Sequence, residues 1–245
     1  MPTMSTRAPN YRRLILVRHA QATIEGDHYD QLSALGERQA RRLGEHWSDQ
    51  GFQPDAVYLG PLARHRETFE QVASVYGTRN LPWPRSQLLS SLNEHAGMEV
   101  VDESLAGVAQ KDPQVAEWVR EMEDEPEHRV RHYFKIFRHL TRLWARGELS
   151  DSSQESWQAF RERVAEGLHH MAEGEAQTTV AFTSAGAVAA AVAVGLELED
   201  EKTLELSWAV QNTGLTEFLI RPQHVHLRSF NALPHLLDET MITWV

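Results

Sequence analysis

Cysteine is absent from all 245 positions. That excludes disulfides, a thiol nucleophile and cysteine-bound metal, and it fits a cytoplasmic protein. Long apolar runs are also missing. The most apolar segment, AGAVAAAVAVGL at 185–196, is short of the roughly 20 residues a membrane span needs, so it reads as a buried helix. The leading segment MPTMSTRAPNYRR has no apolar stretch of the secretory type. Positive charge is scarce: 24 Lys+Arg stand against 35 Asp+Glu, a formal net charge of −11. Nucleic acid and anionic membrane surfaces are therefore not the expected partners. An anionic ligand has to be held by a local cluster of cations, against the field of the whole chain.

What is present is a hydrophobic fraction of 41%, enough for a substantial core at this length. Residues 1–11 read as a flexible lead-in, and 12–245 as one α/β domain. LILV (14–17) is the short continuous apolar run of a strand covered on both faces. A helix is expected over 33–52, with Ser33 as its N-cap and Leu35, Ala40, Leu43 and Trp47 roughly on one face. DAVYLG (55–60) reads as a strand, 62–77 as a helix after Pro61, 160–174 as an amphipathic helix and TTVAFTS (178–184) as a strand. Residues 203–221 and 225–231 read as late strands around a turn. Before the 160–174 helix, 96–155 is charged and aromatic without a strand pattern, and reads as a helical insertion over the site. Alternating strands and helices predict a three-layer α/β/α sandwich with a mostly parallel central sheet.

In such sheets ligands sit beyond the carboxyl ends of the strands. Arg18 and His19 fall where LILV ends, Arg64 lies just past the second strand, and SLNEH (91–95) adds Glu94. Guanidinium forks bind phosphate oxygens and stay charged. A histidine held through one ring nitrogen can attack phosphorus with the other. A carboxylic acid can protonate the departing oxygen and then activate water. Glu67, Glu99 and Asp102 are other carboxylates near Glu94 in sequence.

LILVRHAQA, then YDQLSALGERQARRLG, GPLARHRET and SLNEH, in that order, resemble the histidine phosphatase superfamily, also called phosphoglycerate mutase-like. The resemblance covers nearly all of the chain except the lead-in and the insertion. It implies His19 as the nucleophile that becomes phosphohistidine, Arg18 and Arg64 as phosphate-binding arginines, and Glu94 as proton donor. It implies no metal and no organic cofactor. The function implied is a phosphomonoesterase acting on a phosphorylated small molecule or a phosphoprotein. After Glu94 the chain runs HAGMEVVDE, acidic and without the lysine of the mutases, which favours phosphatase over mutase chemistry.

One departure matters. The family usually carries a second histidine after a late strand, in a pattern like V-x-T/S-H-G-G. Here the strand reads VAFTSAGAV, with Ser184 at the histidine position and Ala185 at the first glycine. A serine can donate one hydrogen bond to substrate but brings no charge. Losing one transition-state donor costs about 10²–10³ in rate. The sequence thus predicts a slow enzyme, one in which His95 or the Gln211–Asn212 turn fills the gap, or a phosphate-binding regulatory protein. The smaller departure, RHA for RHG, is harmless if Ala20 keeps negative φ. His224 and His226 form an H-x-H pair with no evident third ligand and read as a solvated strand face.

Overall fold

The structure is a computed structural model that describes residues 11–23, 30–149, 152–221 and 224–244. Most of the expected lead-in, 1–10, lies outside the described residues. The sheet has six strands in the order β3-β2-β4-β1-β5-β6. They are β1 (Arg12–Arg18), β2 (Ala56–Leu59), β3 (Ser86–Leu88), β4 (Thr178–Thr183), β5 (Leu215–Arg221) and β6 (His224–Ala232). β1 and β4 pair in parallel at the centre, β2 and β3 extend the parallel part, and β5 and β6 close one side antiparallel. The sheet is mixed and mostly parallel, as the alternating pattern predicts.

Period-two alternation along β1 divides the core. Leu14 and Leu16 face one side with Ala181, Phe218 and Ile220. Helices α6 (Trp157–Glu173) and α7 (Ala185–Leu196) cover that side through Phe160, Val164, Leu168, Val188 and Val192. Ile15 and Val17 face the other with Val57, Leu59, Val180 and Phe182, under α1 (Ala34–Asp49) and α2 (Ala63–Thr78). Ser33 caps α1, its hydroxyl accepting the Gly36 N–H at 3.0 Å.

Between β3 and α6 the chain forms α3 (Gly97–Lys111), α4 (Pro113–Asp124) and α5 (Arg129–Ala145). Val101, Val115, Ile136 and Leu140 give these three helices a small core of their own. Asp112 and Pro113 start α4 in the usual way, with Asp112 accepting from the Gln114 N–H.

One expectation fails. TLELS, at 203–207, belongs to helix α8 (Asp200–Ser207) and not to a strand; the late strand begins only at Leu215. Its short alternation also fits a helical turn, in which Leu204 and Ser207, three apart, are both buried. Asp200 and Glu201 occupy the first turn, where the helix dipole favours them.

Candidate active site

At the carboxyl end of β1 the chain is held from both sides. The His19 N–H donates to Thr183 O on β4 (2.8 Å), and the Thr213 N–H donates to Arg18 O (3.0 Å). Asn212 Nδ2 adds a bond to His19 O at 3.0 Å. The Ala20 N–H donates to Thr68 Oγ1, which in turn donates to Arg64 O. The threonine of PLARHRET therefore ties the two arginine-bearing segments together. Ala20 does not adopt positive φ, so alanine is accommodated there.

His19 Nδ1 lies 2.8 Å from the Ala20 carbonyl oxygen. A carbonyl only accepts, so Nδ1 carries the proton. Burial pushes the His19 pKa well below its ordinary value, and Arg18, Arg64 and His65 push it the same way. A neutral ring with Nδ1 protonated leaves its lone pair on Nε2, the atom a phosphorus nucleophile needs.

Arg18 is buried and donates through Nη1 to Val210 O (2.5 Å) and Trp244 O (2.7 Å), while its buried Nε has no protein partner. Burial lowers its pKa to about 10, against the pull of Glu94. Arg64, in the first turn of α2, pairs with Asp30 at 2.5 Å, and its Nε is likewise buried without a partner. The second oxygen of Asp30 accepts the Ala63 N–H at 2.7 Å, so one carboxylate both caps α2 and aims the arginine.

Glu94 sits in the loop after β3. Its Oε2 accepts the Gly186 N–H in the first turn of α7 (3.2 Å), and its Oε1 accepts the His95 N–H (3.0 Å). Burial raises its pKa, but His95, these N–H donors and Arg64 outweigh that and hold it below the ordinary carboxylate value. The loop is clamped by Arg163 of α6, which donates to Ser91 O (3.0 Å) and Asn93 O (3.2 Å) and pairs with Glu155 (2.8 Å).

Arg18, His19, Arg64 and Glu94 line one open cavity of about 980 Å³. Ala185 and Gly186, at the start of α7, line it too. A helix N-terminus there favours an anion. Met98, Phe134, Phe137 and Arg138 from α3 and α5 form another wall, with Trp208 and Trp244. The Arg138 guanidinium lies 5.1 Å from the centre of the Trp208 ring.

Ser184 is placed differently. It is fully buried, does not line the cavity, and sets its Oγ 2.6 Å from Nε2 of His65, a residue with no role in the sequence reading. Of the groups considered as replacements for the missing histidine, His95 lines the cavity, but its Nδ1 accepts the Gly97 N–H (3.0 Å) and its ring sits among Trp144, Trp157 and Phe160. Asn212 is buried under His19 O. Glu99 lines the cavity; Glu67 instead accepts the Leu32 N–H at 2.7 Å. His224 and His226 lie far along the chain on β6 with ring centres 5.7 Å apart, and no group of three metal-ligating side chains occurs among the described residues.

A family model for the histidine phosphatase superfamily (branch 1) matches residues 14–233. No curated protein matches the sequence. Among solved structures, a putative alpha-ribazole-5'-P phosphatase from Escherichia coli aligns with a TM-score of 0.63 at 20% identity, over 91% of this chain and 97% of that one. A phosphoserine phosphatase mutant from Entamoeba histolytica, in complex with phosphoserine, gives 0.58 at 19% identity over 92% and 99%. A phosphoglycerate mutase from Bacillus anthracis gives 0.61 at 14% identity over 92% and 95%. At these identities the structural likeness speaks for the fold.

Proposed function

The chain belongs to the histidine phosphatase superfamily, and from that premise we propose that it is a phosphomonoesterase working through a phosphohistidine on His19. The observation that carries the proposal is one cavity wall shared by two arginines with partner-free Nε groups, a neutral histidine with Nδ1 tied down, and a half-buried carboxyl group.

Arg18 and Arg64 take the non-bridging oxygens of the phosphoryl group. His19 Nε2 attacks phosphorus, the bond from phosphorus to the ester oxygen breaks, and the Glu94 proton goes to the leaving alcohol. Water then attacks the phosphohistidine, Glu94 takes its proton, the N–P bond breaks and inorganic phosphate leaves. Positioning and charge stabilisation carry most of the acceleration. No metal or organic cofactor takes part in this scheme.

Burial of the phosphate raises the Glu94 pKa in the complex, because a dianion beside a carboxylate favours the protonated form. The cavity volume and its aromatic wall suit a phosphorylated small molecule, and phosphoproteins are the second substrate class. Two of the similar structures carry phosphorylated small molecules, phosphoserine and 3-phosphoglyceric acid.

The test is p-nitrophenyl phosphate hydrolysis in EDTA. Wild type turns over and His19→Ala does not. Ser184 supports a second reading, a phosphate-binding regulatory protein, because its hydroxyl is engaged with His65 and not with the cavity. That reading expects phosphate binding without turnover, lost in Arg64→Ala.

A further inference from the structure

A buried imidazole stands beside the cavity with no part in the two-step reaction. His65 follows Arg64 in the first turn of α2 and is fully buried. Its ring centre lies 5.8 Å from that of His19, the two planes inclined at 44°. Its Nε2 lies 2.6 Å from Ser184 Oγ. Its other edge rests on Gly60, just past β2, where an added Cβ would come within 2.3 Å of Nδ1. The imidazole thus occupies a slot that exists because residue 60 is glycine. Burial and Arg64 keep it neutral, with a pKa lowered to about 4.

Ser184 is the N-cap of α7 by its backbone, yet its side chain makes no capping hydrogen bond. A serine cap ordinarily stabilises its helix through a hydrogen bond accepted by its hydroxyl. Here the hydroxyl is given to His65 instead. The next two residues, Ala185 and Gly186, line the phosphate end of the cavity, and the Gly186 N–H holds Glu94. The contact between His65 and Ser184 therefore joins α2, which carries Arg64, to the corner whose Gly186 N–H holds the acid.

We infer that His65 and Ser184 work as one unit, with His65 the positioning residue that fixes the β4–α7 corner, and with it Gly186 and Glu94, relative to Arg64 and His19. Positions 65 and 184 have room for one imidazole between them. With Ser184 Oγ already at hydrogen-bond distance from Nε2, a histidine at 184 overlaps the one at 65. The sequence departure at Ser184 and the unexpected histidine after Arg64 are then two halves of one exchange.

The inference rests on the phosphatase reading, and its test separates the two. Wild type, His65→Ala, Ser184→His and the double variant are compared in kcat and KM for p-nitrophenyl phosphate and in affinity for inorganic phosphate. His65→Ala is expected to lower kcat about tenfold to a hundredfold with KM little changed, as small misplacements at an active site do. Ser184→His alone is expected to lose both activity and thermal stability, and the double variant to recover at least about tenfold over it. Should Ser184→His fail to fold, Ser184→Ala replaces it; His65→Ala/Ser184→Ala should then be no worse than either single variant.

Unchanged kcat in His65→Ala, full activity of Ser184→His alone, or additive effects in both cycles would overturn the inference. If wild type has no turnover, the cycle is read in thermal stability. Non-additivity there keeps the coupled pair while the phosphatase reading falls; additivity removes both.

Discussion

The Gly186 N–H donates to Glu94 Oε2 at 3.2 Å, and a Cβ built on Gly186 would stand only 2.2 Å from Glu94 Oε1. The helix start and the carboxyl group touch so closely that no side chain fits between them. Gly186→Ala should displace Glu94 and lower kcat about a hundredfold, with a smaller effect on phosphate affinity. Steady-state kinetics beside a phosphate-binding measurement check this; kcat within twofold of wild type would contradict the close approach.

Arg163, which also lines the cavity, should matter mainly through Glu94. It holds the carbonyls of Ser91 and Asn93 and pairs with Glu155. Arg163→Ala frees the acid loop. The loss should be larger for alkyl phosphates, whose leaving oxygen needs a proton, than for p-nitrophenyl phosphate, whose leaving group departs without one. Equal losses on both substrates would remove Arg163 from the positioning of the acid.

Asp30 aims Arg64 and caps α2 with one carboxylate. Asp30→Ala should raise KM for phosphate esters and weaken phosphate binding about tenfold, because Arg64 then loses its fixed orientation. It should also cost about 1 kcal/mol of stability through the lost cap. Titration with inorganic phosphate and a denaturant series report the two effects separately.

Acidification should destabilise the fold. His19, His65 and His235 are buried, and burial is the first cause that pushes each below its ordinary pKa, to about 4 for His65 and about 3 for His235. The unfolded chain therefore takes up protons first, near pH 6.5, while the folded chain does not. Their contribution is intact above that pH and is lost as pH falls toward the folded values. Each such histidine contributes about 1.4 kcal/mol per pH unit across that window. Urea midpoints between pH 7.5 and 5 should fall, with a shallower slope in His235→Gln. A flat profile over that range would contradict the burial of these rings as neutral groups.

The fold was legible because its signals are local. LILV is apolar on both faces and is the central strand; Ser33 caps the first helix; TTVAFTS leads into an alanine-rich helix that is buried almost all round. TLELS misled because five alternating residues satisfy a strand and a helical turn equally. The cavity gathers Arg18, His19, Arg64 and Glu94, each of which ends or follows a recognisable segment. Asp30 and Arg163, which also line it, and His65, which stands beside it, were not legible as parts of the site. Their partners lie 34, about 70 and 119 residues away, and the pattern around each is ordinary for a turn, a helix face and a helix start. Only the packed sheet brings them together. Ser184, placed on the substrate by its position in the motif, faces His65 for the same reason.

The central claim is a covalent intermediate on His19. Rapid acid-free quenching of wild type with p-nitrophenyl phosphate, followed by peptide mass spectrometry, tests it directly. One phosphoryl group per chain is expected on the peptide holding His19, labile to acid and stable to base, and none in His19→Ala. Burst release of p-nitrophenol with phosphate on another residue, or turnover that persists in His19→Ala, would contradict it.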